Sequence, residues 1–312
     1  MGTPFGSEKV ITQRIAEAKL KTYLVGFDIN DKGQRYYRLD GFIDLLQKAI
    51  PEFAFGHHVG TSVSITEITD ILREAARSIY RIEQFQETRK IYGNGGSIAD
   101  DDVAQKKQLE RGEFGELILH LLLRDFHTTI PLLSKIFFKD AYNSTLHGFD
   151  AVHIHPSEKT LWLGESKLYV DGKKGVGALI QDVKDHFQRD YLSQEFAIVS
   201  KKLKLFDNIP EKEYWLHIMD RHTKLCDMLD SVAIPLLCTY SSDNFTKYDD
   251  ERKPAFVSDY EKEVRGLQTH FDQNCHHPLR TNLNIILLLF PVQSKNELVR
   301  RMHLRLWQMQ EI

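Results

Sequence analysis

Gly148-Phe149-Asp150-Ala151-Val152-His153-Ile154 and, after a polar turn, Thr160-Leu161-Trp162-Leu163-Gly164-Glu165-Ser166-Lys167-Leu168-Tyr169 decide how this chain is read. Both are short apolar runs interrupted by isolated charges, the pattern of buried strands. In a strand, side chains at i and i+2 share a face, so Glu165 and Lys167 project together while Ser166 points away. Pro156-Ser157-Glu158-Lys159 offers the turn of a hairpin that returns the chain and sets Asp150 near Glu165. Two carboxylates and one ammonium then converge inside an otherwise apolar segment. Interior charges are costly unless they are paired or bind metal.

That trio suits metal-dependent hydrolysis of a phosphodiester. The reaction needs countercharge for a phosphorane-like transition state, a deprotonated water and a stabilised leaving oxygen, and a hard divalent cation provides all three. Magnesium prefers oxygen ligands and usually keeps several waters, so one Asp and one Glu are a typical protein contribution, with manganese as a substitute. Asp150 and Glu165 are the expected ligands. Lys167, kept protonated by the carboxylates, is expected to position water and steady charge rather than to act as a general base. An isolated Glu-x-Lys is usually no more than an exposed strand pair; the flanking apolar residues are what give this one weight.

Upstream, Arg111-Gly112-Glu113-Phe114-Gly115-Glu116 opens a segment whose Phe114, Leu117, Ile118, Leu121 and Leu122 follow helical spacing. Glu116 borders that apolar stripe, where it is either a third carboxylate for the metal site or, like Glu113, an acid favoured by the positive end of the helix. Downstream, Asp171-Gly172-Lys173-Lys174-Gly175-Val176-Gly177 reads as a glycine-rich basic loop before a helix containing Ile180, Val183, Lys184 and Phe187. Such a loop either carries DNA phosphates on its amides and lysines or is a plain flexible turn.

The order of helix with Glu116, strand, strand with Asp150, strand with Glu165 and Lys167, then helix resembles the PD-(D/E)XK nuclease superfamily. Gly112 to Glu116 is similar to its first-helix motif, and Ile130 to Phe138 supply the first strand. One departure is Phe149, where the superfamily's motif has proline. More narrowly, His147-Gly148-Phe149-Asp150-Ala151-Val152 and Leu163-Gly164-Glu165-Ser166-Lys167-Leu168, behind a long N-terminal region, resemble the nuclease subunits of Hachiman anti-phage defence systems. The resemblance is specific over about residues 109 to 200. It implies an α/β, restriction-endonuclease-like core, a mixed sheet flanked by helices, with an N-terminal α/β accessory region. It further implies a magnesium-dependent enzyme that cuts DNA through Glu116, Asp150, Glu165 and Lys167 alongside a helicase subunit. In related nucleases the positions of Gln181 and Lys184 face the motif, which makes them, with Lys173 and Lys174, candidate DNA contacts. The competing reading is a module that keeps the fold without catalysis and binds DNA or a partner; the intact Asp, Glu and Lys positions argue against it.

Composition sets the outer limits. The chain has 312 residues, 42% hydrophobic and 27% charged, enough for one large or two modest cores. Lys plus Arg is 41 and Asp plus Glu is 44, a net charge of −3, so no global basic field draws it to nucleic acid. DNA contact must come from local patches such as Lys173-Lys174, Lys201-Lys202 with Lys204, or Arg300-Arg301. The glycine-rich nucleotide-binding pattern ending in Gly-Lys-Ser/Thr does not occur, so ATP-driven work would fall to a partner. Cys226, Cys238 and Cys275 leave one thiol over in any disulfide scheme, which fits a reducing cytoplasm. The first residues lack a secretory head, and the longest apolar run, Ile285 to Phe290, is far short of a membrane span. His270, Cys275, His276 and His277 suggest zinc only weakly, because a structural site wants two separated ligand pairs, and His57-His58 is weaker still.

Along the chain, Lys21 to Ile29 suggests a strand and Leu39 to Ile50 a helix ended by Pro51. Ser64 and Glu67 form a capping box before Ile68, Ile71, Leu72, Ala75, Ala76, Ile79 and Ile82. Tyr92 to Ser97, followed by Asp100 to Asp102, breaks the pattern and marks a boundary, giving an accessory region over 1–95 and a nuclease domain with a C-terminal extension over 105–312. Val232 to Tyr240 and Leu283 to Phe290 read as buried strands. Ser294 and Glu297 cap a final helix with Leu298, Val299, Met302, Leu306 and Met309 on its apolar side.

Overall fold

The computed structural model describes residues 3–57, 66–80, 113–134, 148–204 and 209–311. Its centre is one mixed sheet in the spatial order β1 (Ile11–Ala16), β2 (Leu20–Val25), β9 (Asn284–Val292), β8 (Val232–Ser241), β7 (Thr160–Tyr169), β6 (Ala151–His155) and β5 (Ile130–Ser134). The last three form an antiparallel meander, while β7, β8, β9 and β2 run parallel and β1 closes the far edge antiparallel. A separate hairpin pairs β3 (Phe27–Ile29) with β4 (Arg35–Tyr37). Parallel strands are covered on both faces, which is why β8 and β9 are nearly continuous apolar runs and are buried along almost their whole length.

In chain order the helices are α1 (Leu39–Phe55), α2 (Ile68–Tyr80), α3 (Glu113–Phe126), α4 (Gly172–His186), α5 (Arg189–Leu203), α6 (Lys212–Ile218), α7 (Leu225–Asp230), α8 (Asn244–Lys247), α9 (Pro254–Asn274) and α10 (Lys295–Glu311). One face of the sheet carries α4 and α9. The opposite face carries α1, α2, α3 and α10, locked by Phe42 against Phe290 (5.2 Å between ring centroids) and Phe114 against His303 (5.1 Å).

Three local expectations are corrected by packing. The glycine-rich run after β7 is not a loop: Asp171 caps α4 by accepting from the Lys174 amide at 3.0 Å, and Gly172 to Gly177 are helical. A Cβ at Gly175 would lie 2.5 Å from Cys238 Sγ, so glycine serves close helix–sheet contact there rather than flexibility. Pro51 does not end α1. The helix continues to Phe55 because Phe53 and Ala54 are buried, and that burial offsets the cost of about 3 kcal/mol for an interior proline. The strand expected over Lys21 to Ile29 breaks at Gly26, where Glu251 meets the backbone and accepts from the Phe27 amide at 3.0 Å.

Residues of the N-terminal region share the central sheet, since Leu20, Lys21 and Thr22 pair with Leu287, Leu288 and Leu289. A buried polar cluster also fastens α1 to α3. Glu52 accepts from Arg124 Nε at 2.6 Å, lies 3.2 Å from His120 Nε2 and 3.0 Å from His57 Nδ1, and is held well below the usual carboxylate range by these neighbours despite its burial. Ser64, Ile82, the proposed boundary over residues 92–102 and the end of the expected first strand beyond Ser134 lie outside the described residues.

Candidate active site

Sheet register builds the site. Ala151 pairs with Gly164, so Asp150, immediately before β6, stands beside Glu165. Phe149 anchors the preceding peptide: it is buried and packs on Phe187 (5.4 Å) and Tyr191 (5.8 Å), forming an apolar clamp before Asp150. Asp150 Oδ2 accepts from both the amide and the hydroxyl of Ser166, each at 2.9 Å. Asp150 is 6% and Glu165 2% exposed, so both carboxylates are interior.

Glu165 and Lys167 share the face of β7 that lies under α4, as alternation requires. Helix α4 runs back across them and presents Asp182 and His186, one turn apart on the same side. Lys167 Nζ stands 2.7 Å from Asp182 Oδ2, and His186 Nδ1 2.7 Å from Glu165 Oε1. Burial, and then the like charge of Asp150, push the Glu165 carboxyl up to about 7 against the opposing hydrogen bond from His186. Burial works against the Lys167 ammonium, yet Asp182, followed by Asp150 and Glu165, holds it above the ordinary lysine range. Burial also raises Asp182 against the pull of Lys167, and it opposes the charge on His186, which the Glu165 hydrogen bond nevertheless raises.

The donor set is made of hard oxygens. Asp150 and Glu165 oppose each other's charge, and a divalent cation between their oxygens would relieve that opposition. Among the described residues no three His, Cys, Asp or Glu side chains are gathered to hold a metal. Two adjacent carboxylates suit a hard cation that fills its remaining positions with water or substrate oxygens.

Glu116 approaches from the other layer. Helix α3 meets β7 through Gly115, whose Cβ would lie 3.2 Å from Ser166 Oγ, and Glu116 is buried in that first turn, on the sheet face opposite Glu165 and Lys167. Lys173 and Lys174 are exposed in the first turn of α4. Gln181 is exposed and donates to Asp185 at 3.0 Å, and exposed Lys184 lines a cavity of about 300 Å³ with Phe187, Gln188, His276 and His277; neither is among the groups paired with Glu165 or Lys167. Arg300 and Arg301 pair with Glu297, and Arg301 also reaches Asp40 at 3.1 Å, so these cations bind α10 to itself and to α1. Sequence reasoning missed Asp182, His186 and Glu195, a buried acid of α5 whose Oε2 would lie 3.0 Å from a Cβ at Gly148. The available signal for the first two was their i, i+4 spacing beside the buried Val183 and Phe187.

The chain is therefore a mixed α/β protein with interior carboxylates and a charged lysine on one face of a seven-stranded sheet. The family model of HamA matches residues 4–306, nearly the whole length, and the chain belongs to the HamA family, which sets it in the context of Hachiman antiviral defence. A comparison with curated proteins finds no match. Among the described residues no helix is long and apolar enough to cross a membrane.

Proposed function

We propose that the chain is a PD-(D/E)XK-type, metal-dependent DNA nuclease and the effector of a Hachiman defence complex with a helicase. The observation that carries this reading is the convergence of Asp150, Glu165 and Lys167, with Lys167 fixed in its charged form by Asp182 at 2.7 Å. The element order α3, β5, β6, β7, α4, with β8 following after the inserted helices α5, α6 and α7, supports it.

Asp150 and Glu165 would hold magnesium, or manganese in its place. When bound, the ion supplies Lewis acidity at the phosphate and a more acidic water. Ser166 fixes one oxygen of Asp150 through two hydrogen bonds and so orients that carboxylate. Lys167 is too firmly protonated for general-base work; it faces the negative charge that develops on the phosphoryl oxygens and orients the attacking water. Glu116, buried in the opposite layer, is proposed to assist from there rather than to complete a three-carboxylate set. Lys173, Lys174, Gln181 and Lys184 are its DNA contacts, exposed along α4 where a backbone can be met.

The net charge of −3 leaves little sequence-independent affinity for DNA, because phosphate neutralisation supplies most of it. Together with the missing nucleotide-binding pattern, this supports a reading in which a helicase partner supplies translocation and DNA delivery. The test is incubation of the chain with labelled duplex, single-stranded and circular DNA plus magnesium, with and without its partner helicase and ATP. Magnesium-dependent cutting that the partner enhances is expected. No cutting of any substrate in any combination would overturn the reading.

A further inference from the structure

We infer that His186 is a positioning residue for the proposed metal site, holding Glu165 through one oxygen so that the other is presented beside Asp150. The inference rests on the nuclease reading above and extends it to a residue outside the Asp-Glu-Lys motif. Glu165 must be ionised to ligate a metal, and an ionised carboxylate only accepts, so in that state Nδ1 of His186 carries the proton and donates to Glu165 Oε1, 2.7 Å away. That bond fixes the carboxylate's rotation about its last torsion, which is otherwise broad.

The imidazole is itself held on two sides. It stacks on Tyr191 with centroids 4.5 Å apart and planes 7° from parallel, and it meets Phe149 edge-on at 6.3 Å and 89°. Phe149 is covalently next to Asp150 and also packs 5.8 Å from Tyr191. One aromatic bracket thus sets both carboxylates: Asp150 through the backbone of Phe149, and Glu165 through the hydrogen bond from His186. Such an arrangement fixes the separation of the two oxygens before any ion arrives. Groups that orient a ligating side chain in this way are typically worth 10–100-fold in metal affinity.

The test measures Mn²⁺ binding to the DNA-free full chain by electron paramagnetic resonance, alongside thermal unfolding and DNA binding without metal. His186→Leu removes the donor and should weaken Mn²⁺ binding by about 10-fold or more, leaving metal-free DNA affinity unchanged. His186→Asn keeps an N–H donor close to the position of Nδ1 and should stay within a few-fold of the parent. Should the Leu variant fail to fold, Tyr191→Leu keeps the imidazole but removes its stacking surface, and should weaken Mn²⁺ binding several-fold. Parent-like Mn²⁺ binding by a folded His186→Leu, or by Tyr191→Leu in its place, would overturn the positioning role while leaving the nuclease reading intact. A parent chain that neither binds Mn²⁺ nor cuts DNA would overturn the nuclease reading, and this inference with it.

Discussion

Replacing Glu165 with Gln should make the metal-free protein more stable at alkaline pH. In the folded chain the carboxyl sits at about 7, against an ordinary value of 4.5, because burial and Asp150 penalise its charge. The folded state therefore binds this proton more tightly than the unfolded state, and stability falls as pH rises from about 4.5 to about 7. At about 1.4 kcal/mol per pH unit the loss is about 3 kcal/mol once the group is ionised in both states. Gln keeps the shape, and its carbonyl still accepts from His186, but it carries no charge. The difference between variant and parent should be near zero at pH 4.5 and grow to about 3 kcal/mol in favour of the variant at pH 8, or roughly 5 °C in Tm. Urea unfolding in chelator, followed through Trp162, Trp215 and Trp307, reads it directly. Excess magnesium should reverse the order by stabilising the parent alone. A difference that does not grow with pH would refute the claim that burial and the neighbouring Asp150 carboxylate penalise the charge on Glu165.

Calcium should support DNA binding with little turnover where magnesium or manganese supports cutting, because its larger and looser coordination positions water poorly; filter binding and gel cleavage assays check this. Glu52→Ala should cost about 3 kcal/mol or more in urea unfolding, since it strands Arg124, only 9% exposed, without its carboxylate, while Mn²⁺ affinity at Glu165 stays unchanged. Gly175→Ala should cost roughly 1–3 kcal/mol, because its Cβ would meet Cys238 Sγ at 2.5 Å, and Cys238→Ala in the same chain should recover part of that loss in a thermal unfolding comparison.

Much of the candidate site's geometry was legible because it is local. The Pro156–Lys159 turn, the two-residue period of β7 and the single-residue spacing of Glu165 and Lys167 bring Asp150, Glu165 and Lys167 together without reference to the rest of the fold. The final helix was equally readable, its cap realised by Ser294 Oγ accepting from the Glu297 amide at 3.2 Å. What escaped depends on distant packing. The first turns of α4 read as a loop because glycine is a poor helix former, but the surfaces of Cys238, Tyr240 and Leu267 demand residues without side chains there. The phase of α4 is set by burial of Val183 and Phe187, which turns Asp182 and His186 toward β7 and leaves Gln181 and Lys184 exposed. Residues 20–22 joining 287–289 in one sheet is a pairing across almost the entire chain, which no local pattern announces.

Asp150, Glu165 and Lys167 are proposed to form a metal-dependent phosphodiesterase centre. The most direct measurement is single-turnover cleavage of labelled duplex DNA in magnesium, in the presence of the partner helicase, by the parent chain and by Lys167→Ala. Cutting by the parent that chelation abolishes is expected, with a loss of about 10²-fold or more in the variant and DNA affinity held within a few-fold, because Lys167 acts on the transition state rather than on the duplex. Cutting by Lys167→Ala at the parent rate, or cutting by the parent that survives exhaustive chelation, would contradict that proposal.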